Sequence, residues 1–167
     1  AYEISECFVG SEMCIRDRLI TGAISGIGLA ASKLFLQRGW KVIMADKEEK
    51  NEVFEEIKNL YNNSVTFVKT DVSKDRDIKH LYDKSKEFSK EIHCIINNAG
   101  IISHELLHEL KENEWDAVME TDVKSIYLTA KHFIPDMIKN GGGTIVNTAS
   151  ISGCLLYTSD AADDSLR

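Results

Sequence analysis

Chemistry could come from a few stretches of this sequence. The first is "ITGAISGIGLA", residues 20–30, with glycines at Gly22, Gly26 and Gly28. Such glycines let a backbone turn tightly and approach a pyrophosphate, and a helix opening there offers free N–H groups and a positive dipole end. The spacing is TGxxxGxG rather than GxGxxG. Asp46 closes the apolar run "KVIMAD", eighteen residues beyond Gly28. A carboxylate there can accept hydrogen bonds from an adenosine ribose 2′-OH and repel a 2′-phosphate. Alone, the loop reads as a tight strand–helix turn and Asp46 as a solvated acid. Together they point to a bound nucleotide. The second stretch is "TIVNTAS", where an apolar run would deliver Ser150 to the lip of a pocket.

The third stretch is "HELLH", residues 104–108, which fits HExxH and so the pattern of a zinc hydrolase. A third ligand is lacking. Lys111 and Glu114 stand where a GxxH extension would need Gly and His, and no Glu lies about twenty residues after His108. Zinc hydrolysis is therefore the remote competing class, and no metal is expected. His80, His93 and His132 are scattered and read as polar surface or helix-face residues.

The elements that must hold these residues follow from periodicity. Apolar runs of strand length occur at 19–21, 41–46, 65–70, 94–97 and 143–149. Amphipathic stretches alternate with them at 28–39, 47–61, 75–92 and 113–140. Val53, Ile57 and Leu60 should share one inward face of the second helix, and Ile78, Leu81, Tyr82 and Phe88 that of the third. The fourth is expected as one long helix, bent near Pro135, the only proline. Strands alternating with helices predict an α/β fold with a parallel sheet covered on both faces.

A length of 167 residues suits one domain, and 43% hydrophobic with 28% charged residues is ordinary globular composition. A net charge of −7 argues against a nucleic-acid or anionic-membrane partner. No apolar run reaches the length of a membrane span, and the N-terminus lacks a signal-peptide pattern. Cys7, Cys14, Cys94 and Cys154 form no CxxC pair, so a reducing, cytoplasmic setting is expected.

"TGAISGIG", "DV" at 71–72, "NNAG" at 97–100 and the Ser150 stretch resemble the short-chain dehydrogenase/reductase family, in that family's order. The resemblance implies a Rossmann-type doubly wound parallel sheet of strand order 3-2-1-4-5, here truncated after the fifth strand. It implies hydride transfer between NAD(P) and a small-molecule alcohol or ketone, and a parent enzyme that is a homo-oligomer. Asp71 and Val72 would lie along the adenine, and Asn98, Ala99 and Gly100 would flank the adenosine ribose. Ser25 and Ile27 would present N–H groups or a hydroxyl to the phosphates. Family members that prefer NADP often carry a basic residue where Ser25 stands, so Ser25 with Asp46 favours NAD over NADP.

The family's proton chemistry uses a tyrosine, a lysine four residues later, a serine and an asparagine in the long helix. Ser150 matches the serine. The asparagine position falls on Asp122, isosteric but charged, which leaves a relay role open against a local structural one. Thirteen residues after Ser150 stands Asp163, and the lysine position is Arg167. Tyr157 is followed four residues later by Ala161. The tyrosine–lysine pair is therefore expected to be missing and the chain inactive. The alternatives are a catalytically inactive nucleotide-binding module and, more distantly, a methyltransferase-like Rossmann domain. The substrate is not legible.

The tails bear on this. DNA able to encode "MCIRDR" (13–18) reads "CLLYT" (154–158) on its opposite strand, shifted by one frame. "VGSEMCIRDR" and "CLLYTSDAADD" also resemble translated transposon-type sequencing adapters. Non-native tails are expected at 1–18 and 154–167, flanking an NAD-binding Rossmann fragment at 19–153.

Overall fold

A computed structural model describes residues 17–49 and 51–150. A five-stranded, wholly parallel sheet forms its centre, with strand order β3-β2-β1-β4-β5. The strands are β1 (Arg18–Thr21), β2 (Val42–Asp46), β3 (Val65–Lys69), β4 (Cys94–Asn97) and β5 (Thr144–Asn147). Between them run α1 (Gly26–Gln37), α2 (Asn51–Tyr61), α3 (Asp75–Phe88) and a long helical passage before β5. The doubly wound α/β architecture expected from the sequence is the one observed.

Successive strand residues point to opposite faces, so each central strand serves two cores. Leu19, Ile43 and Ala45 pack with Ile78 and Leu81 of α3 and with Leu128, Phe133 and Met137 beyond it. Ile20, Val42 and Met44 pack with Leu36 of α1 and Ile57 of α2 on the other face. This explains why β1 and β2 read as unbroken apolar runs rather than alternating ones. Each large side chain so buried contributes roughly 1.5–3 kcal/mol. β1 begins at Arg18, one residue before the boundary drawn at 19. The Arg18 guanidinium lies 4.2 Å from the Trp40 ring centroid, and the Ser89 hydroxyl donates to the buried Asp17 carboxylate.

Two local expectations need correction. Leu60 is 77% exposed. Only Val53 and Ile57 of its proposed face turn inward, because α2 rotates Leu60 past the seam. The long helix is not one regular α-helix: α4 (Glu112–Val118) passes into a π-helical stretch, Met119–Lys124, and then into α5 (Ser125–Lys139). Pro135 lies inside α5, which continues to Lys139. The tails at 1–16 and 151–167, with Tyr157, Asp163 and Arg167, lie outside the described residues.

Candidate functional site

The C-terminal ends of β1 and β4 are tied together by side chains. The Thr21 hydroxyl, 2% exposed, accepts the N–H groups of Asn98 and Ala99, each at 3.0 Å. The Asn98 amide donates back to the carbonyls of Thr21 (3.2 Å) and Gly22 (3.3 Å), and its own oxygen accepts from Thr148. Beside it the Asn97 amide donates to Asn147 of β5 at 2.8 Å, and its oxygen accepts from Thr129 of α5 at 3.0 Å. The asparagines of "NNAG" thus act as cross-links between strands.

This seam constrains two of the loop glycines. Gly22 has φ +62°, and a Cβ on it would stand 2.9 Å from the Ala99 Cα. A Cβ on Gly28 would stand 2.1 Å from the Gly22 carbonyl oxygen. Gly26, with φ +50°, faces open space: a Cβ there meets nothing within 4 Å. α1 starts at this residue, so its unpaired N–H groups open onto that space.

The open space is a cleft of about 930 Å³ at the carboxyl ends of the strands, on the line where strand order reverses between β1 and β4. That is where α/β sheets hold ligands. Of the sequence-nominated residues, Gly22, Ser25, Gly26, Ile27, Asp46, Asp71, Val72, Asn98, Ala99 and Gly100 line it. Gly28 does not; it is buried beneath the loop against Gly22. The cleft's volume leaves room for an adenosine diphosphate moiety, and the helix N-terminus at its rim is of the kind that receives phosphates.

The acids around the cleft are already engaged. Asp46 accepts the Ile24 N–H through one oxygen and the Glu48 N–H through the other, each at 3.1 Å. Asp71 accepts from the Ser73 hydroxyl (2.7 Å) and N–H (3.1 Å), with the Lys47 ammonium 3.3 Å away. Burial pushes the Asp71 carboxyl up, but the Ser73 hydrogen bonds and Lys47 outweigh it and leave its pKa below the ordinary value. Lys74 and Glu120 face each other at 3.6 Å across the cleft wall. Sequence reasoning missed Thr21 as a cross-link and missed both lysines. The only sequence signals were the Thr preceding Gly22 and the basic residues directly following Asp46 and Ser73.

The catalytic candidates are placed differently. Asp122, in the π-helical stretch, accepts the Ile101 N–H at 2.9 Å and lies against Gly100, which fits its structural reading. Neither it nor Ser150, exposed after β5, lines the cleft. The tyrosine–lysine spacing is not absent from the chain, as the expectation above has it. It occurs at Tyr82–Lys86 and Tyr127–Lys131, upstream of Ser150. Both pairs lie away from the cleft, in α3 and α5. Tyr82 donates to the Asp136 carboxylate, which with burial pushes the phenol up to about 12. That is the wrong direction for an acid working near neutral pH. "HELLH" is not helical, so its imidazoles lack the one-turn helical placement that the HExxH pattern relies on.

Comparison with known proteins decides the lineage. A family profile described as "short chain dehydrogenase" matches residues 18–162. The chain belongs to the short-chain dehydrogenase family. It is 37% identical over 137 residues to a 3-oxoacyl-[acyl-carrier-protein] reductase FabG of Thermotoga maritima, covering 81% of this chain and 55% of that protein. An uncharacterized oxidoreductase of the same organism is 35% identical over 133 residues, covering 79% and 52%. The fold is also that of a short-chain dehydrogenase from Streptomyces avermitilis, with TM-score 0.81 at 23% identity, covering 92% of this chain and 56% of that one. The chain spans about half the length of the curated relatives it matches.

Proposed function

We propose that this chain supplies the nucleotide-holding half of an NAD-dependent oxidoreductase that interconverts a small alcohol and its ketone or aldehyde, in the cytoplasm. The observation that carries the reading is the cleft at the β1–β4 reversal, which gathers ten of the eleven residues nominated for the cofactor. In this reading Ser25, Gly26 and Ile27 turn backbone N–H groups to the pyrophosphate. Asp46 meets the adenosine ribose through lone pairs left over from its backbone contacts, and Asp71 and Val72 border the adenine. NAD supplies hydride acceptance and donation when bound. Ser150 would orient a substrate oxygen by hydrogen bonding. The FabG relative's name, a 3-oxoacyl reductase, supports carbonyl chemistry as the class.

A second reading is a binding module without turnover. It is favoured by one observation: among the described residues, the tyrosines with a lysine four places on lie outside the cleft. A positioned acid–base pair supplies a rate factor of roughly 10²–10⁴, so its absence would leave little catalysis. Both readings are tested on the 167-residue chain by following NADH and NADPH fluorescence on titration, then NADH consumption with a panel of small ketones. NADH binding tighter than NADPH, with no turnover above background, is expected. Turnover abolished by Ser150→Ala would remove the second reading. Equal or tighter NADPH binding would remove the NAD preference.

A further inference from the structure

We infer that Asp46 is a positioning residue for the glycine-rich loop: its carboxylate holds the loop's entry against the end of β2, so it governs phosphate binding as well as ribose recognition. This rests on the nucleotide-holding reading above and deepens it.

The loop enters its turn along β2. The Ala23 N–H donates to the Ala45 carbonyl at 3.2 Å. The next N–H, that of Ile24, has no backbone carbonyl to meet, because the strand has ended; it donates instead to Asp46 Oδ2 at 3.1 Å. The carboxylate therefore ties the turn after β1 to the end of β2, with a side chain in place of a main-chain acceptor. Ala23 and Ile24 are 0% and 2% exposed, so water is a poor replacement for that acceptor. Ser25, Gly26 and Ile27 follow at once, and they border the cleft where a pyrophosphate would sit. The other oxygen, Oδ1, accepts the Glu48 N–H at 3.1 Å and so fixes the carboxylate's own orientation. A carboxylate offers about four lone-pair sites, so two backbone donors leave room for a ribose hydroxyl. A negative charge here also strengthens its hydrogen bonds beyond those of a neutral acceptor.

This changes what a substitution at Asp46 reports. A weaker preference for NAD in Asp46→Ala would ordinarily be read as loss of the ribose contact. If the loop is released as well, ligands with no 2′-hydroxyl should also bind more weakly.

The test uses the full chain, with ADP and 2′-deoxy-ADP as probes and amide hydrogen exchange as an independent readout. In Asp46→Ala, 2′-deoxy-ADP should bind roughly tenfold more weakly, the size of one lost hydrogen bond to a charged acceptor. The Ile24 amide should exchange faster, while the Ile20 and Met44 amides inside the sheet keep their protection. Asp46→Asn keeps one acceptor oxygen, so either the Ile24 or the Glu48 amide should lose protection, and 2′-deoxy-ADP affinity should recover only if Ile24 keeps its own. If Asp46→Ala also loses sheet protection, the Asp46→Asn comparison decides. Loss of ADP binding with 2′-deoxy-ADP binding and Ile24 exchange unchanged would overturn the inference and leave Asp46 a ribose contact alone. If neither nucleotide binds the parent chain, the functional reading falls, and Ile24 exchange still decides whether Asp46 anchors the loop.

Discussion

At the scale of single residues, the site depends on small spaces more than on strong contacts. Gly28→Ala places a methyl 2.1 Å from the Gly22 carbonyl oxygen, a backbone atom that cannot rotate away. The loop must shift or the helix must start elsewhere. We expect a loss of about 1–3 kcal/mol in stability and of nucleotide binding, read by chemical denaturation and ADP titration. Gly26→Ala is the contrast, since its Cβ meets nothing but its φ of +50° is strained for alanine. It should cost less stability while filling cleft space. These glycines were legible as a loop because their spacing is local. Their separate duties were not: Gly22 answers to Ala99, seventy-seven residues away, and Gly28 to Gly22. Asp46 was legible by type and place, but its bond to Ile24 depends on where β2 stops. Leu60 failed for a simpler reason, since helical spacing defines a face but not how far that face rotates into the core.

At the scale of elements, α3 and α5 are joined by an edge-to-face contact between Tyr82 and Phe133, with ring centroids 5.3 Å apart, and by polar groups above it. The Tyr82 phenol, then the Lys86 ammonium at 3.0 Å, hold the Asp136 carboxyl down at about 2. A depressed carboxyl stabilises the fold above its unfolded value, near 3.8, and that contribution is lost as pH falls through about 2. Tyr82 has the opposite sign: raised to about 12, it stabilises below its ordinary value of 10.0 and loses this as pH rises through about 12. Tyr82→Phe should lower the melting temperature at neutral pH and flatten its fall between pH 4 and pH 2. Because Asp136 is only partly buried, salt should shrink the difference. A second prediction concerns the outer face of α4, the π-helical stretch and α5. Trp115, Met119, Val123 and Tyr127 recur every four residues and remain exposed, Val123 at 55% and Tyr127 at 63%. Such a stripe drives association. Leu128, in contrast, is buried in the core at 3%. Val123→Lys with Tyr127→Lys should reduce self-association of the chain in sedimentation or light scattering, with the helical circular dichroism preserved.

At the scale of the molecule, the described residues form one sheet with both faces covered, yet β5 stands at its edge with three of its four residues exposed. The relatives are about one and a half times as long. Fold class, strand order and family were readable because alternation, loop glycines and motif order are properties of the chain itself. The π-helical stretch was not, since residues of ordinary helix propensity fill it and only packing on either side distinguishes it.

The reversal of strand order also has a kinetic side. β3, β2 and β1 can pair in steps along the chain, each strand joining its immediate predecessor in sequence. β4 cannot: it must insert beside β1, matching Cys94 to Arg18 across seventy-six residues. Closing so long a loop makes this the slowest of the pairings to form. The Thr21–Asn98 cross-link and the cleft both lie on that late seam. A nucleotide seated there would bridge the two halves of the sheet and act first on the rate at which they separate. Its signature would be a slower unfolding limb in denaturant, with the refolding limb almost unmoved.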